Sequence, residues 1–126
     1  MTDLAHRSLT HGVIAAAISV HRALGPGLLE NAYRKCLVHE LRGRGLDPRA
    51  EVPIPLVYKG IHLDCGFRAD LIVNDQVLLE LKAIDRLLPI HDAQLLTYLK
   101  LCRIKVGLLI NFNSSSLRNG IRRLIR

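Results

Sequence analysis

Arg68-Ala69-Asp70-Leu71-Ile72-Val73-Asn74-Asp75-Gln76-Val77-Leu78-Leu79-Glu80-Leu81-Lys82, residues 68–82, sets two apolar runs on either side of a polar turn and places charges inside them. Continuous aliphatic runs such as Leu71-Ile72-Val73 and Val77-Leu78-Leu79 read as central strands covered on both faces. Asn74-Asp75 reads as the turn between them. An ionised group left unpaired in such a strand is costly, so Asp70, Glu80 and Lys82 need compensation. A divalent cation supplies it for two carboxylates, because hard oxygen ligands suit Mg²⁺ and the ion can also activate water.

Side chains alternate faces along a strand, so the loop length decides whether these charges meet. A two-residue turn at Asn74-Asp75 pairs Val73 with Gln76, sets Asp70 opposite Leu79 and sends Glu80 to the other face. A three-residue loop, Asn74 to Gln76, pairs Val73 with Val77 and sets Asp70 across from Glu80. Leu78, Glu80 and Lys82 share one face, so Lys82 then joins both carboxylates. A site therefore requires the odd loop, or a bulge of the same parity. The plainer alternative is a structural ion pair between Lys82 and an acid at the sheet end.

Upstream, apolar residues recur from Leu4 to Leu24 at Leu9, Val13, Ala16 or Ala17, Val20 and Leu24, the spacing of a helix with one buried face, stopped by Gly25-Pro26-Gly27. A second helix is predicted from about Leu28 to Arg44 with Leu29, Ala32, Cys36, Leu37 and Leu41 as its apolar stripe. Period two then takes over at Val52, Ile54 and Leu56. Pro53 and Pro55 cannot donate ladder hydrogen bonds, which makes this an edge strand. After Lys59-Gly60 a strand is predicted over about Ile61 to Val73, and the next over Gln76 to Ala83. Downstream, Pro89 precedes a helix from about His91 to Cys102, and Lys105 to Phe112 reads as a last strand. Strand, helix, strand at this length implies a parallel pair. Ser114-Ser115-Ser116 into Leu117 to Arg126 reads as a short capped helix carrying Arg118, Arg122, Arg123 and Arg126.

The fold expected is α/β, a mixed central sheet flanked by helices in the order α-α-β-β-β-α-β, with residues 1–126 as a single domain. Only 4% of residues are aromatic and none is Trp, so the core must be aliphatic. Eighteen Lys and Arg against eleven Asp and Glu give a net charge of +7, which attracts polyanions and makes nucleic acid the first partner to consider. Cys36, Cys65 and Cys102 are odd in number and widely spaced, which suggests neither a disulfide framework nor a structural zinc site. The first residues lack the apolar run of a signal peptide, and no apolar stretch reaches membrane-spanning length, so a cytoplasmic location without membrane contact is expected.

Two further groups belong to the argument. Gln94 and Tyr98 are four apart and share a helix face, where an amide and a hydroxyl beside a metal can bond a phosphate oxygen or the attacking water. Gly27, Glu30 and Tyr33 recur every three residues at the start of the second helix, where the helix dipole also favours an acid.

Gly27-Leu28-Leu29-Glu30-Asn31-Ala32-Tyr33 resembles the signature of the GxxExxY proteins, a branch of the PD-(D/E)xK nuclease superfamily with the restriction-endonuclease-like core. Arg68-Ala69-Asp70 resembles the metal-binding Asp motif of that superfamily, with Ala69 where Pro is usual. Glu80-Leu81-Lys82 resembles its ExK, and Gln94-Leu95-Leu96-Thr97-Tyr98 its QxxxY helix motif. The likeness runs over roughly residues 8 to 112. It implies that Asp70, Glu80, the Leu81 carbonyl and Glu30 hold Mg²⁺ or Mn²⁺, and that Lys82 orients or deprotonates water while Gln94 positions the phosphate. The implied activity is metal-dependent hydrolysis of phosphodiester bonds, with DNA the expected polymer. Tyr98, Arg118, Arg122 and Arg123 are the candidate nucleic-acid contacts, and a homodimer would widen the grip of so small a chain. A module that binds nucleic acid or recruits a partner without turnover is the alternative, and a structural protein with salt-bridged acids stands behind it.

Overall fold

Two residues in the left-handed region, Asn74 (φ 53°) and Asp75 (φ 56°), decide how the sheet is assembled. Asn and Asp tolerate this conformation better than other residues with a Cβ. In the computed structural model, which describes residues 2–126, they are followed by Gln76. The Gln76 N–H donates to the Val73 carbonyl at 3.0 Å, and Val73 pairs with Val77. β4 (Arg68–Val73) and β5 (Val77–Lys82) are thus joined by the odd loop that a convergent site requires. Asn74 also pins the loop, donating from its main chain to Asp47 O at 2.9 Å and accepting the Asp47 N–H on its side chain at 2.7 Å.

Around this hairpin stand α1 (Thr2–Leu24), α2 (Glu30–Gly43), β1 (Pro48–Pro53), β2 (Leu56–Tyr58), β3 (Ile61–Leu63), α3 (Pro89–Cys102), β6 (Val106–Asn111) and β7 (Ile121–Ile125). Five strands form one mixed sheet in the order β1-β4-β5-β6-β7. Only β5 and β6 run parallel, with α3 between them in sequence, as the strand-helix-strand reading predicted. β1 is an edge strand, as Pro53 predicted, but the run expected from Val52 to Leu56 is broken at Ile54-Pro55 and Leu56 opens β2 in the separate hairpin. Leu71, Val73, Val77, Leu79 and Leu81 face α1 and α2, where they meet Val13, Ala17, Leu37 and Leu41. Ile72, Leu78 and Leu109 face α3, packing on Leu95, Tyr98 and Leu99. No helix among the described residues is long and apolar enough to cross a membrane.

Three further expectations are corrected. The strand foreseen from Ile61 to Val73 is two, because Asp64 to Phe67 turns the chain and leaves β3 paired only with β2 in a separate hairpin. The tail is not a helix: a 3₁₀ turn, Leu117–Gly120, leads into β7, which pairs antiparallel with β6. The reason lies in β6, buried along its whole length, whose second edge would otherwise be left unpaired. Finally, the buried stripe of α2 is Tyr33, Leu37 and Leu41, while Leu29 and Cys36 are exposed. Leu29 precedes the helix, and Tyr33 takes the inward position by stacking on Phe112 with ring centroids 4.5 Å apart. Leu24 is likewise exposed at the end of α1.

The turn after β6 is close-packed because Gly120 has no side chain. A Cβ there would stand 2.5 Å from the Asn111 carbonyl oxygen, a main-chain atom that cannot simply rotate away. We expect Gly120→Ala to destabilise the protein by about 1–3 kcal/mol through this overpacking. Urea unfolding measures it, and an unchanged midpoint would contradict the close approach.

Candidate active site

Asp70 and Glu80 continue the β4–β5 register from Leu71 opposite Leu79, so they stand across from one another on the face of Ile72 and Leu78. The main chain already holds one oxygen of each. Asp70 Oδ2 accepts the Leu81 N–H at 2.8 Å, and Glu80 Oε1 accepts the Asp70 N–H at 3.3 Å. Glu80 is buried, and burial followed by the charge of Asp70 pushes its carboxyl from 4.5 up to about 8. Lys82, half-buried two residues on, shares this face and draws the same pKa down, though less strongly.

Lys82 is held by the end of β6. It pairs with Asn111 across the parallel ladder, and its carbonyl accepts the Phe112 N–H at 2.8 Å. The buried Asn111 side chain then closes the segment after β5, accepting the Ile84 N–H at 3.1 Å and donating to the Ile84 carbonyl at 2.9 Å. Sequence reasoning missed Asn111, although an amide ending an apolar strand is the signal that could have found it.

The Gly27 to Tyr33 segment also becomes intelligible as a unit. The Tyr33 hydroxyl donates to the Gly25 carbonyl at 2.6 Å and accepts the Leu28 N–H at 3.1 Å. It thereby fastens the link in which Gly25 (φ 70°) and Gly27 (φ 102°) need positive φ. This fixes the start of α2 and with it Glu30. Glu30 is exposed, yet partial desolvation and then Asp70 raise its pKa, while Lys82 and Arg34 lower it. Its carboxyl therefore feels the charges of Asp70, Lys82 and Arg34.

Arg34, one turn further along α2, was not foreseen. Its guanidinium lies 3.9 Å from Asp70 Oδ1 and 3.4 Å from Glu51. Asp70 thus has an arginine partner from another element, and neither Arg68 nor Lys82 forms an ion pair with it. The signal available was Arg34 four residues after Glu30, on the same helix face.

From α3, Gln94 donates an amide N–H to the Tyr98 hydroxyl oxygen at 3.1 Å, which leaves the Tyr98 O–H and the Gln94 carbonyl oxygen free to bond elsewhere. Tyr98 is buried, and its pKa is raised by burial and then by the charge of Glu80. The arginines of the tail are dispersed by the strand. Arg122 pairs with Asp92 of α3, Arg123 points to the opposite face of β7, and Arg118 sits on the 3₁₀ turn. They make no common stripe, because a strand alternates what a helix would have gathered.

A family model described as the PD-(D/E)XK nuclease superfamily matches residues 7–124. The chain belongs to this superfamily. No curated protein and no solved structure gives a significant match.

Nucleases of the PD-(D/E)XK superfamily generally use divalent metal ions, and the donor set here fits one. Two carboxylates face each other, and burial makes their joint ionisation unfavourable unless a cation is added. Among the described residues no three His, Cys, Asp or Glu side chains cluster closely enough to cage an ion by themselves. Asp70 and Glu80 would therefore be completed by main-chain oxygen and water.

The raised pKa of Glu80 has a definite consequence without metal. Its folded value exceeds its unfolded one, so the native state binds the extra proton, and this contribution is fully present below about 4.5 and lost as pH rises through about 8. Glu30 adds the same sign. In chelator, stability should fall between pH 5 and pH 8 and fall less steeply in Glu80→Gln. Urea midpoints across that range measure it, and equal slopes in the two proteins would contradict the assignment.

Proposed function

We propose that this chain is a metal-dependent nuclease that hydrolyses phosphodiester bonds of nucleic acid, with DNA as the polymer, and that it belongs to the GxxExxY branch. The observation that carries the reading is the meeting of Asp70, Glu80 and Lys82 on one sheet face, which a loop one residue shorter would have prevented. Membership of the PD-(D/E)XK superfamily and the net charge of +7 support it. The branch is supported by the way Tyr33 anchors the segment that carries Glu30.

In this reading Asp70, Glu80, the Leu81 carbonyl and Glu30 would hold Mg²⁺ or Mn²⁺. The ion supplies charge neutralisation at phosphorus and a more acidic water. The Lys82 ammonium would orient the attacking water and offset the negative charge that develops at phosphorus. Gln94 accepts a hydrogen bond from that water through its free carbonyl oxygen, and the Tyr98 O–H donates to a phosphate oxygen. Arg34, 3.9 Å from Asp70, is placed where its guanidinium could bond a phosphate oxygen.

Purified protein incubated with linear and circular DNA, single- and double-stranded, should cleave with Mg²⁺ or Mn²⁺ and not with chelator. Lys82→Ala should lower the rate roughly 10²- to 10⁴-fold, and Glu80→Ala should remove cleavage. Full activity in either variant would overturn the reading. Tight binding without cleavage of any substrate would replace it with a binding module.

A further inference from the structure

Beside the candidate site lies a groove of about 430 Å³ between the β2–β3 hairpin and the start of β4. Pro53, Pro55 and Leu63 give it apolar walls, and Phe67, His62 and Arg68 line it as well. A larger cavity of about 740 Å³ lies against the hairpin and the end of α3 and shares Pro53, Pro55 and His62 with this groove, but neither Phe67 nor Arg68 lines it.

Three observations give the smaller groove its character. Phe67 keeps 38% of its surface exposed, unlike Phe112, which is fully buried and stacked on Tyr33 in the core. Its main chain is tied to the segment after β1, the Phe67 carbonyl accepting the Ile54 N–H at 2.9 Å. Its ring lies 6.0 Å from that of Tyr98, one of the candidate site residues. Arg68 adds a cation on the same strand parity as Asp70, two residues or about 6.6 Å along β4. The one acid in the lining, Asp64, is partly engaged, accepting the Gly66 N–H at 3.0 Å.

A partly exposed phenyl ring in an apolar recess with an arginine at its edge suits a nucleobase on the ring and its phosphate on the guanidinium. Bases inside a duplex have both faces covered by their neighbours, so only an unpaired one can use such a platform. We propose that this groove is a subsite for one unpaired nucleotide next to the scissile phosphate, which makes single-stranded or frayed nucleic acid the substrate class. The proposal rests on the nuclease reading for its orientation toward Asp70 and Glu80.

The test is fluorescence anisotropy in chelator, with a labelled single-stranded oligonucleotide and a duplex of the same sequence. Wild-type protein should bind the single strand more tightly. Phe67→Ala should weaken single-strand binding roughly 5- to 150-fold, the range for one lost base stack, and leave duplex binding unchanged. Phe67→Tyr should restore it, and Arg68→Gln should lower the slope of log affinity against log salt by about one. Equal weakening of both ligands by Phe67→Ala, or no weakening, overturns the proposal. So does a Phe67→Ala protein that loses self-association seen for the wild type by sedimentation, since the surface would then serve a second copy. No turnover is needed, so a failure of the cleavage assay and a failure of this subsite are read separately.

Discussion

The parity of one loop governs the molecule. Three residues, Asn74 to Gln76, separate the paired Val73 and Val77, and a change of one residue would turn every side chain of β5 to the opposite face. The register that buries Leu79 and Leu81 against α1 and α2 is the same one that brings Glu80 to Asp70. Core and site are therefore specified by a single choice. Two left-handed residues and the hydrogen bonds of Asn74 to Asp47 hold that choice in place.

The register creates an electrostatic problem that the surrounding elements share. Asp70 and Glu80 repel one another in a partly desolvated place, and Glu80 responds by holding a proton. Lys82 and Arg34 offset the charge from a strand and a helix respectively. Arg34 is shared with Glu51, whose main chain sits at φ 52°, a conformation that costs a non-glycine residue about 1–3 kcal/mol. Tyr33 and Asn111 keep the contributing segments in place from inside the core, where their own polar atoms are satisfied.

Much of this was legible in the residues. Charges inside apolar strands announced Asp70, Glu80 and Lys82, and strict alternation turned their meeting into a condition on loop length. Four-residue spacing paired Gln94 with Tyr98, which the hydrogen bond between them bears out. What could not be read depends on tertiary demand. The tail carries arginines at helical spacing, yet the free edge of β6 claims it as a strand, and sequence periodicity has no knowledge of an edge waiting to be paired. Tyr33 stood in the sequence only as one of three residues spaced by three, and its inward position follows from Phe112, almost eighty residues away. Arg34 escaped notice because an arginine on a helix is ordinary until the strand opposite it is known.

The most direct test of the whole account is calorimetry of Mn²⁺ binding at pH 7 in buffers of different ionisation enthalpy. With the Glu80 carboxyl at about 8, the metal-free site is mostly protonated at that pH, and a bound ion must displace the proton. The account predicts binding with close to one proton released per ion, and loss of that binding in Asp70→Asn. Binding that releases no proton, or that is as tight in Asp70→Asn as in the wild type, would contradict the claim that these two facing carboxylates form the metal site.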